Sequence, residues 1–242
     1  MNRHWRDFPR HWESSDALCS AVRERTDTSL LAFSCGKDSI ACWLRMLEYG
    51  FKVIPYIYEL IPGLEFVDEG IRYFEDHFKT EIVRLTSPSF VRMLKHYVYQ
   101  PPDRTRALYL ADLPSLTYED CQDEMRHRYG GALPIAIGVR IADSLQRRTS
   151  VKAHGACNTN QGTWYPVFDW STKYTYQRIN DVGIRLPVDY EMFGRTFDGI
   201  NEQFLRPIRD RYPRDYDRIL EWFPLADLEF TRRALCPQID AT

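Results

Sequence analysis

Apolar positions along this chain come in two alternating patterns: short continuous runs, and stripes spaced three and four residues apart. Leu18, Ala21 and Val22 start the first stripe, and Thr26, Asp27 and Thr28 lead into the run Leu30, Leu31, Ala32, Phe33. Ile40, Trp43, Leu44 and Leu47 then fall on one face of a helix that stops at Tyr49 and Gly50. Residues 52–58 form a second apolar run, followed by the turn residues Pro62 and Gly63. Val67, Ile71, Phe74 and Phe78 stripe the next helix, and residues 81–85 make a third run. Strand, helix, strand, helix, strand in this order predicts a parallel sheet with helices on both faces.

The alternation breaks between Ser89 and Gly131, where Pro101 and Pro102, an arginine-rich stretch at 103–106 and a helix over 118–128 suggest an elaboration above the sheet. A buried strand over 133–138 follows and carries Arg140 just past its carboxyl end. Ligands of open α/β sheets sit outside the carboxyl ends of the strands, so Arg140 is expected to face the crevice reached by the turn after Phe33. Residues 189–235 are dense in aromatics, with Phe193, Phe197, Phe204, Tyr212, Tyr216, Trp222 and Phe223 divided by Pro207, Pro213 and Pro224. That density predicts a small helical extension packed on the core or on another subunit.

Length and composition narrow the class. A chain of 242 residues, 44% hydrophobic and 27% charged, supports one main domain with appendages. Its apolar runs fall short of the roughly 20 residues needed to cross a bilayer, and its first residues lack an apolar signal core, so a cytoplasmic setting is expected. A net charge of −2 gives no indication of a nucleic-acid partner. The six cysteines (19, 35, 42, 121, 157 and 236) lack iron–sulfur or zinc spacing, and the six histidines make no ligand pair, so neither a protein-held metal nor an iron–sulfur cluster is expected. Of the 32 basic residues 26 are arginine, whose planar fork suits phosphate and carboxylate oxygens, although a coding bias toward arginine explains the total equally well.

The chemistry concentrates in Ser34, Cys35, Gly36, Lys37, Asp38 and Ser39, a tight turn between a buried strand and a helix start. Unpartnered amides of a first helical turn, a glycine permitting close approach and a lysine together make a phosphate cradle. The order of these residues resembles the Ser-Gly-Gly-x-Asp-Ser signature of the PP-loop ATP pyrophosphatases, a superfamily whose adenine-nucleotide fold includes the phosphoadenosine phosphosulfate (PAPS) reductases. Cys35 stands where the first glycine usually is, either as a small residue that tolerates the turn or as a sulfur carrier. Gly138, Val139, Arg140, Asp143, Ser144 and Arg147 resemble that family's Gly-hydrophobic-Arg-x-x-Glu-Ser-x-x-Arg block, with Asp143 in place of glutamate. By that resemblance Arg140 contacts nucleotide phosphate and Asp143 orients it or the following turn; Arg147 and Arg148, seven and eight residues on, can present further cationic groups to the same anion. Pro166, Asp169, Trp170 and Ser171 are similar to a third block, in which Trp170 is expected in the core and Ser171 or Thr172 to cap a helix.

The resemblance implies a three-layer α/β sandwich with a mainly parallel five-stranded sheet, adenine nucleotide alpha-hydrolase-like and Rossmann-like. The nucleotide-binding domain would span 13–185 with an insertion at about 97–132, between an N-terminal arm at 1–12 and the helical extension at 186–242. It implies ATP or PAPS as the bound nucleotide, magnesium carried with it, and an acceptor that the sequence leaves open. The expected activity is ATP-pyrophosphatase-type adenylation of that acceptor, coupled to sulfur or other group transfer, with Lys37 and Arg140 as the catalytic residues. PAPS reduction is the first alternative, but the reductases' C-terminal Glu-Cys-Gly-Leu/Ile-His motif has no counterpart around Cys236, which is followed by Pro237 and Gln238. The second is a catalytically inactive regulatory protein, pairing with itself or another protein through the aromatic C-terminal segment.

Overall fold

The protein is described by a computed structural model covering residue 5 and residues 7–131 and 133–235, apart from the side chains of residues 233 and 234. Its centre is a six-stranded sheet made of β1 (Thr28–Ala32), β2 (Lys52–Glu59), β3 (Val83–Thr86), β4 (Ile135–Ile137), β5 (Cys157–Asn158) and β6 (Thr163–Trp164). The order across the sheet is β3, β2, β1, β4, β6, β5. β1 pairs in parallel with β2 (Leu30 opposite Ile54) and with β4 (Leu30 opposite Ile135), which explains why Leu30 and Leu31 are wholly buried in an unbroken apolar run.

The chain leaves β1 toward β2 and β3, then returns on the other side to form β4. The segments 33–36 and 138–144 emerge at the carboxyl ends of β1 and β4, beside that reversal, the position at which open α/β sheets bind ligands. The sheet has one strand more than the expected five. β5 and β6 are two residues each, too short to leave a periodic signature, and they form an antiparallel hairpin turned by Asn158, whose side chain accepts from the amides of Asn160 and Gln161. β6 is parallel to β4.

The helices, in chain order, are α1 (Ser15–Arg25), α2 (Lys37–Glu48), α3 (Glu65–Phe78), α4 (Pro88–Lys95), α5 (Pro102–Ala111), α6 (Tyr118–Tyr129), α7 (Leu145–His154), α8 (Thr172–Asp181), α9 (Val188–Phe193), α10 (Glu202–Arg211), α11 (Pro213–Trp222) and α12 (Leu228–Leu235). Among the described residues no helix is long and apolar enough to cross a membrane.

Contacts divide the chain into two compact units. The first comprises Met1–Ile57, Phe74–Arg84 and Glu119–Leu186. Its core joins the sheet to α2, where Trp43 stacks on Phe78 at 3.9 Å and Phe33 meets Trp43 and Phe74 edge-on. Trp5 and Phe8 of the N-terminal segment are buried in this unit, and Arg25 lies over the Phe8 ring.

The second unit comprises Tyr58–Tyr73, Leu85–Tyr118 and Pro187–Thr242. The C-terminal aromatics pack here against residues from much earlier in the chain: Phe66 contacts Phe193, Phe197 and Tyr212, while Phe90 contacts Trp222 and Phe223. Asp215, only 3% exposed, closes the arrangement by accepting the amides of Glu65 (2.8 Å) and Phe66 (3.1 Å), so a carboxylate from α11 caps α3.

Candidate phosphate-binding site

The loop after β1 is closed by its own side chains. Phe33 donates its amide to the Tyr56 carbonyl and extends β1 by one bond. Ser39 Oγ donates to the Gly36 carbonyl (2.9 Å), accepts the Ser34 amide and lies 3.2 Å from Ser34 Oγ. The Ser39 hydroxyl, expected at a phosphate, thus serves as the clasp of the turn and is buried. Cys35 has φ of +56°, the left-handed region that glycine occupies without steric cost, and its side chain is buried.

Gly36 is the N-cap of α2 and, having no side chain, supplies no side-chain cap to this helix. That contrasts with α1, α4, α7, α8 and α10, each capped by a serine or asparagine oxygen from Ser14, Ser87, Ser144, Ser171 and Asn201. The sequence leaves the head of α2 without a side-chain cap, the arrangement that lets an anion occupy the position. Lys37 is the first residue of α2, its Nζ 2.8 Å from Asp38 Oδ2.

Arg140 is wholly buried, and its guanidinium is the node of the site. Nε lies 2.7 Å from Asp38 Oδ1, without the alignment of a hydrogen bond. Nη2 donates to Asp143 Oδ1 at 2.5 Å, and Nη1 donates to Thr175 Oγ1 at 3.2 Å, with longer bonds to the Trp170 carbonyl and Thr172 Oγ1. Asp143 also accepts the Arg140 amide, and its Oδ2 takes Arg147 Nη1 at 2.6 Å. The family resemblance implies a phosphate contact for Arg140, whereas here its donors are engaged inward and Arg147, with a side chain 48% exposed, is the outward arginine.

Three helix starts therefore meet around one guanidinium: Asp38 lies in the first turn of α2, Asp143 immediately precedes the α7 cap, and Thr172 and Thr175 lie in the first turn of α8. Two carboxylates against Lys37, Arg140 and Arg147 leave one formal positive charge in excess, added to the positive ends of three helices. Gly138 permits the assembly. A Cβ at that position would lie 2.7 Å from the Asp38 carbonyl carbon and oxygen and 2.9 Å from the Ser39 amide nitrogen, so any side chain would push α2 away from the end of β4.

Ser34 to Ser39 with Gly138, Arg140, Asp143 and Arg147 lie in the loop or in this network, whereas Arg148, expected to add a further cationic group, is exposed on α7 outside it. Ser171 is the cap of α8, accepting the Tyr174 amide, and Trp170 is buried. Thr175 escaped sequence reasoning: wholly buried, it donates to the Ser171 carbonyl and accepts from Arg140, and a threonine one turn into a helix carries no signal of that role.

Five described cysteines are reduced and buried. Burial pushes the thiols of Cys19, Cys42 and Cys121 up, and that of Cys157 up to about 12 despite the nearby Arg25 and Arg10. Cys236 lies outside the described residues. Among the described residues no group of three or more His, Cys, Asp or Glu side chains is arranged to hold a metal ion.

No family model and no curated protein matches this chain. Among solved structures it is similar to a protein described as a predicted subunit of tRNA methyltransferase from Methanocaldococcus jannaschii, at 15% identity over 79% of this chain and 93% of that one, with a TM-score of 0.36. A likeness this distant carries no functional argument.

Proposed function

We propose that the turn at residues 34–39 binds the phosphates of an adenine nucleotide, and that the protein uses ATP to adenylate an acceptor. The supporting observation is the α2 head, which begins at a glycine cap without a side chain, carries Lys37 as its first residue and is set against Gly138 by a buried arginine. In this reading the acceptor nucleophile forms a bond to the α-phosphorus. The bond from that phosphorus to the bridging oxygen breaks, pyrophosphate leaves with the electron pair, and the acceptor's proton passes to solvent.

Lys37 and the α2 amides meet the charge that grows on the leaving pyrophosphate, a preorganised electrostatic contribution. Arg147 supplies a second cation once the anion competes with Asp143 for it. Arg140 acts through Asp38 and Asp143, fixing the head of α2 relative to α7 and α8, and is a positioning residue in this account. Magnesium would arrive on the nucleotide and take most of its ligands from phosphate oxygens and water.

PAPS reduction is the weaker reading, because the reductases' C-terminal Glu-Cys-Gly-Leu/Ile-His motif, which supplies the reactive thiolate, has no counterpart around Cys236. The test is exchange of labelled pyrophosphate into ATP, run with nucleic-acid and small-molecule acceptor pools. Exchange that disappears in Lys37→Ala supports adenylation, whereas sulfite release from PAPS without pyrophosphate exchange would replace it with reduction.

A further inference from the structure

Residues 144–168 contain no aspartate or glutamate, yet they carry Arg147, Arg148, Lys152 and His154. All four basic residues are on α7, and all are exposed. In a chain of net charge −2 this is a local segregation of positive charge that the total conceals. The helix begins at the Asp143–Arg147 pair, so its positive surface starts at the candidate site and runs about 15 Å along ten residues. Arg148 and Lys152, four apart and on one flank, make no ion pair with another described residue. Beyond the helix end, Arg10 and His11 are exposed, and the Arg10 carbonyl accepts the Cys157 amide, which extends the basic surface past His154.

We propose that α7 is a docking surface for the sugar-phosphate backbone of a single-stranded nucleic acid, and that this strand is the acceptor presented to the phosphate-binding loop. Naming the strand as acceptor rests on the adenylating reading; the docking surface itself does not. Charge decides that the partner is anionic, and the remaining surface decides its class. A protein interface needs large apolar or aromatic anchors at its centre, and the exposed face of α7 has only Leu145, at 76% exposure. Gln146, Thr149 and Ser150 instead add the neutral donors that phosphate contacts use beside cations. On α8, whose first turn shares Arg140 with the start of α7, Lys173 is exposed and Tyr174, which meets Trp170 edge-on, is 41% exposed as a residue, so an aromatic side chain against which an unpaired base can pack lies in the same helix turn.

The experiment is fluorescence anisotropy of labelled short RNA and DNA single strands, with a duplex of the same length, across a salt series. The proteins are wild type, Arg148→Glu/Lys152→Glu, and the charge-preserving Arg148→Lys/Lys152→Arg. We expect wild type and the charge-preserving protein to bind single strands better than duplex, and the charge-reversed protein to lose at least about tenfold in affinity with the logarithmic salt slope shallower by about 1.4, two phosphate contacts at 0.7 each. ATP titration and thermal melting of the charge-reversed protein should match wild type, since neither residue belongs to the loop network. Absence of strand binding by wild type at low salt, or equal binding by the charge-reversed protein, overturns the proposal. Displacement by poly-glutamate as readily as by unlabelled strand also overturns it, in favour of an acidic protein partner. Strand binding that depends on Arg148 and Lys152 in a protein with no ATP affinity supports the surface and removes the adenylating reading.

Discussion

Replacing Arg140 with methionine keeps most of the buried volume and removes the charge that holds Asp38 and Asp143. Arg140 is fully buried and bridges both carboxylates while donating to Thr175. Removing one partner of a buried ion pair costs about 3–5 kcal/mol, and because Asp38 and Asp143 are 22% and 13% exposed, water can reach them and the cost falls at the lower end. With a urea slope of about 2–3 kcal/mol per molar, a loss near 3 kcal/mol moves the unfolding midpoint down by about 1–1.5 M. Arg140→Lys should lose roughly half as much, since an ammonium can serve one carboxylate but not span two. ATP affinity should fall in both proteins, because the head of α2 is no longer fixed. The assay is urea denaturation followed by tryptophan fluorescence. A midpoint shift for Arg140→Met below about 0.3 M, less than about 1 kcal/mol at that slope, would refute the reasoning and return Arg140 to the role of an accessible ligand-binding cation.

Further outcomes follow from other parts of the structure. Gly138→Ala places a Cβ 2.7 Å from the Asp38 backbone; the overpacking should cost about 1–3 kcal/mol and weaken ATP binding together with stability, whereas unchanged ATP affinity would show that β4 and the α2 head are not coupled. Asp215→Ala uncaps α3 and leaves two amides without their acceptor, which should cost about 1–2 kcal/mol by denaturation while ATP affinity in calorimetry stays at the wild-type value. Burial pulls Glu229 upward, but hydrogen bonds from Arg232 and Tyr99 and the Arg232 charge outweigh it and hold its carboxyl below the ordinary range. Its folded value lies below its unfolded one, so its contribution is present above the unfolded value and lost as pH falls through the folded one. Glu229→Gln should therefore flatten the acid limb of the urea midpoint against pH, and an acid limb as steep as wild type would contradict that assignment.

The strand–turn–helix at 28–48 was legible from sequence because each part has its own signature: a continuous run from Leu30, a Gly-Lys-Asp turn, and an apolar stripe from Ile40. The position of Arg140 just past β4 was legible, but its orientation was not. A strand-end arginine can face the crevice or turn inward, and the choice depends on Asp143 and Thr175, which approach it only after folding. The capping of α3 by Asp215 joins residues 150 positions apart, and nothing local distinguishes Asp215 from a solvated helix carboxylate. β5 and β6 were missed because two-residue strands leave no alternation. The balanced total charge hid the acid-free stretch at 144–168, since net charge averages over segments that fold to different surfaces.

The most direct test of the central claim is calorimetric titration of ATP with magnesium into wild type and into Lys37→Ala. The account predicts one binding site in wild type and a loss of about ten- to a hundredfold in Lys37→Ala, the equivalent of about 1.5–3 kcal/mol for one charge-assisted hydrogen bond. Absence of binding to wild type, or equal affinity of the two proteins, would contradict it.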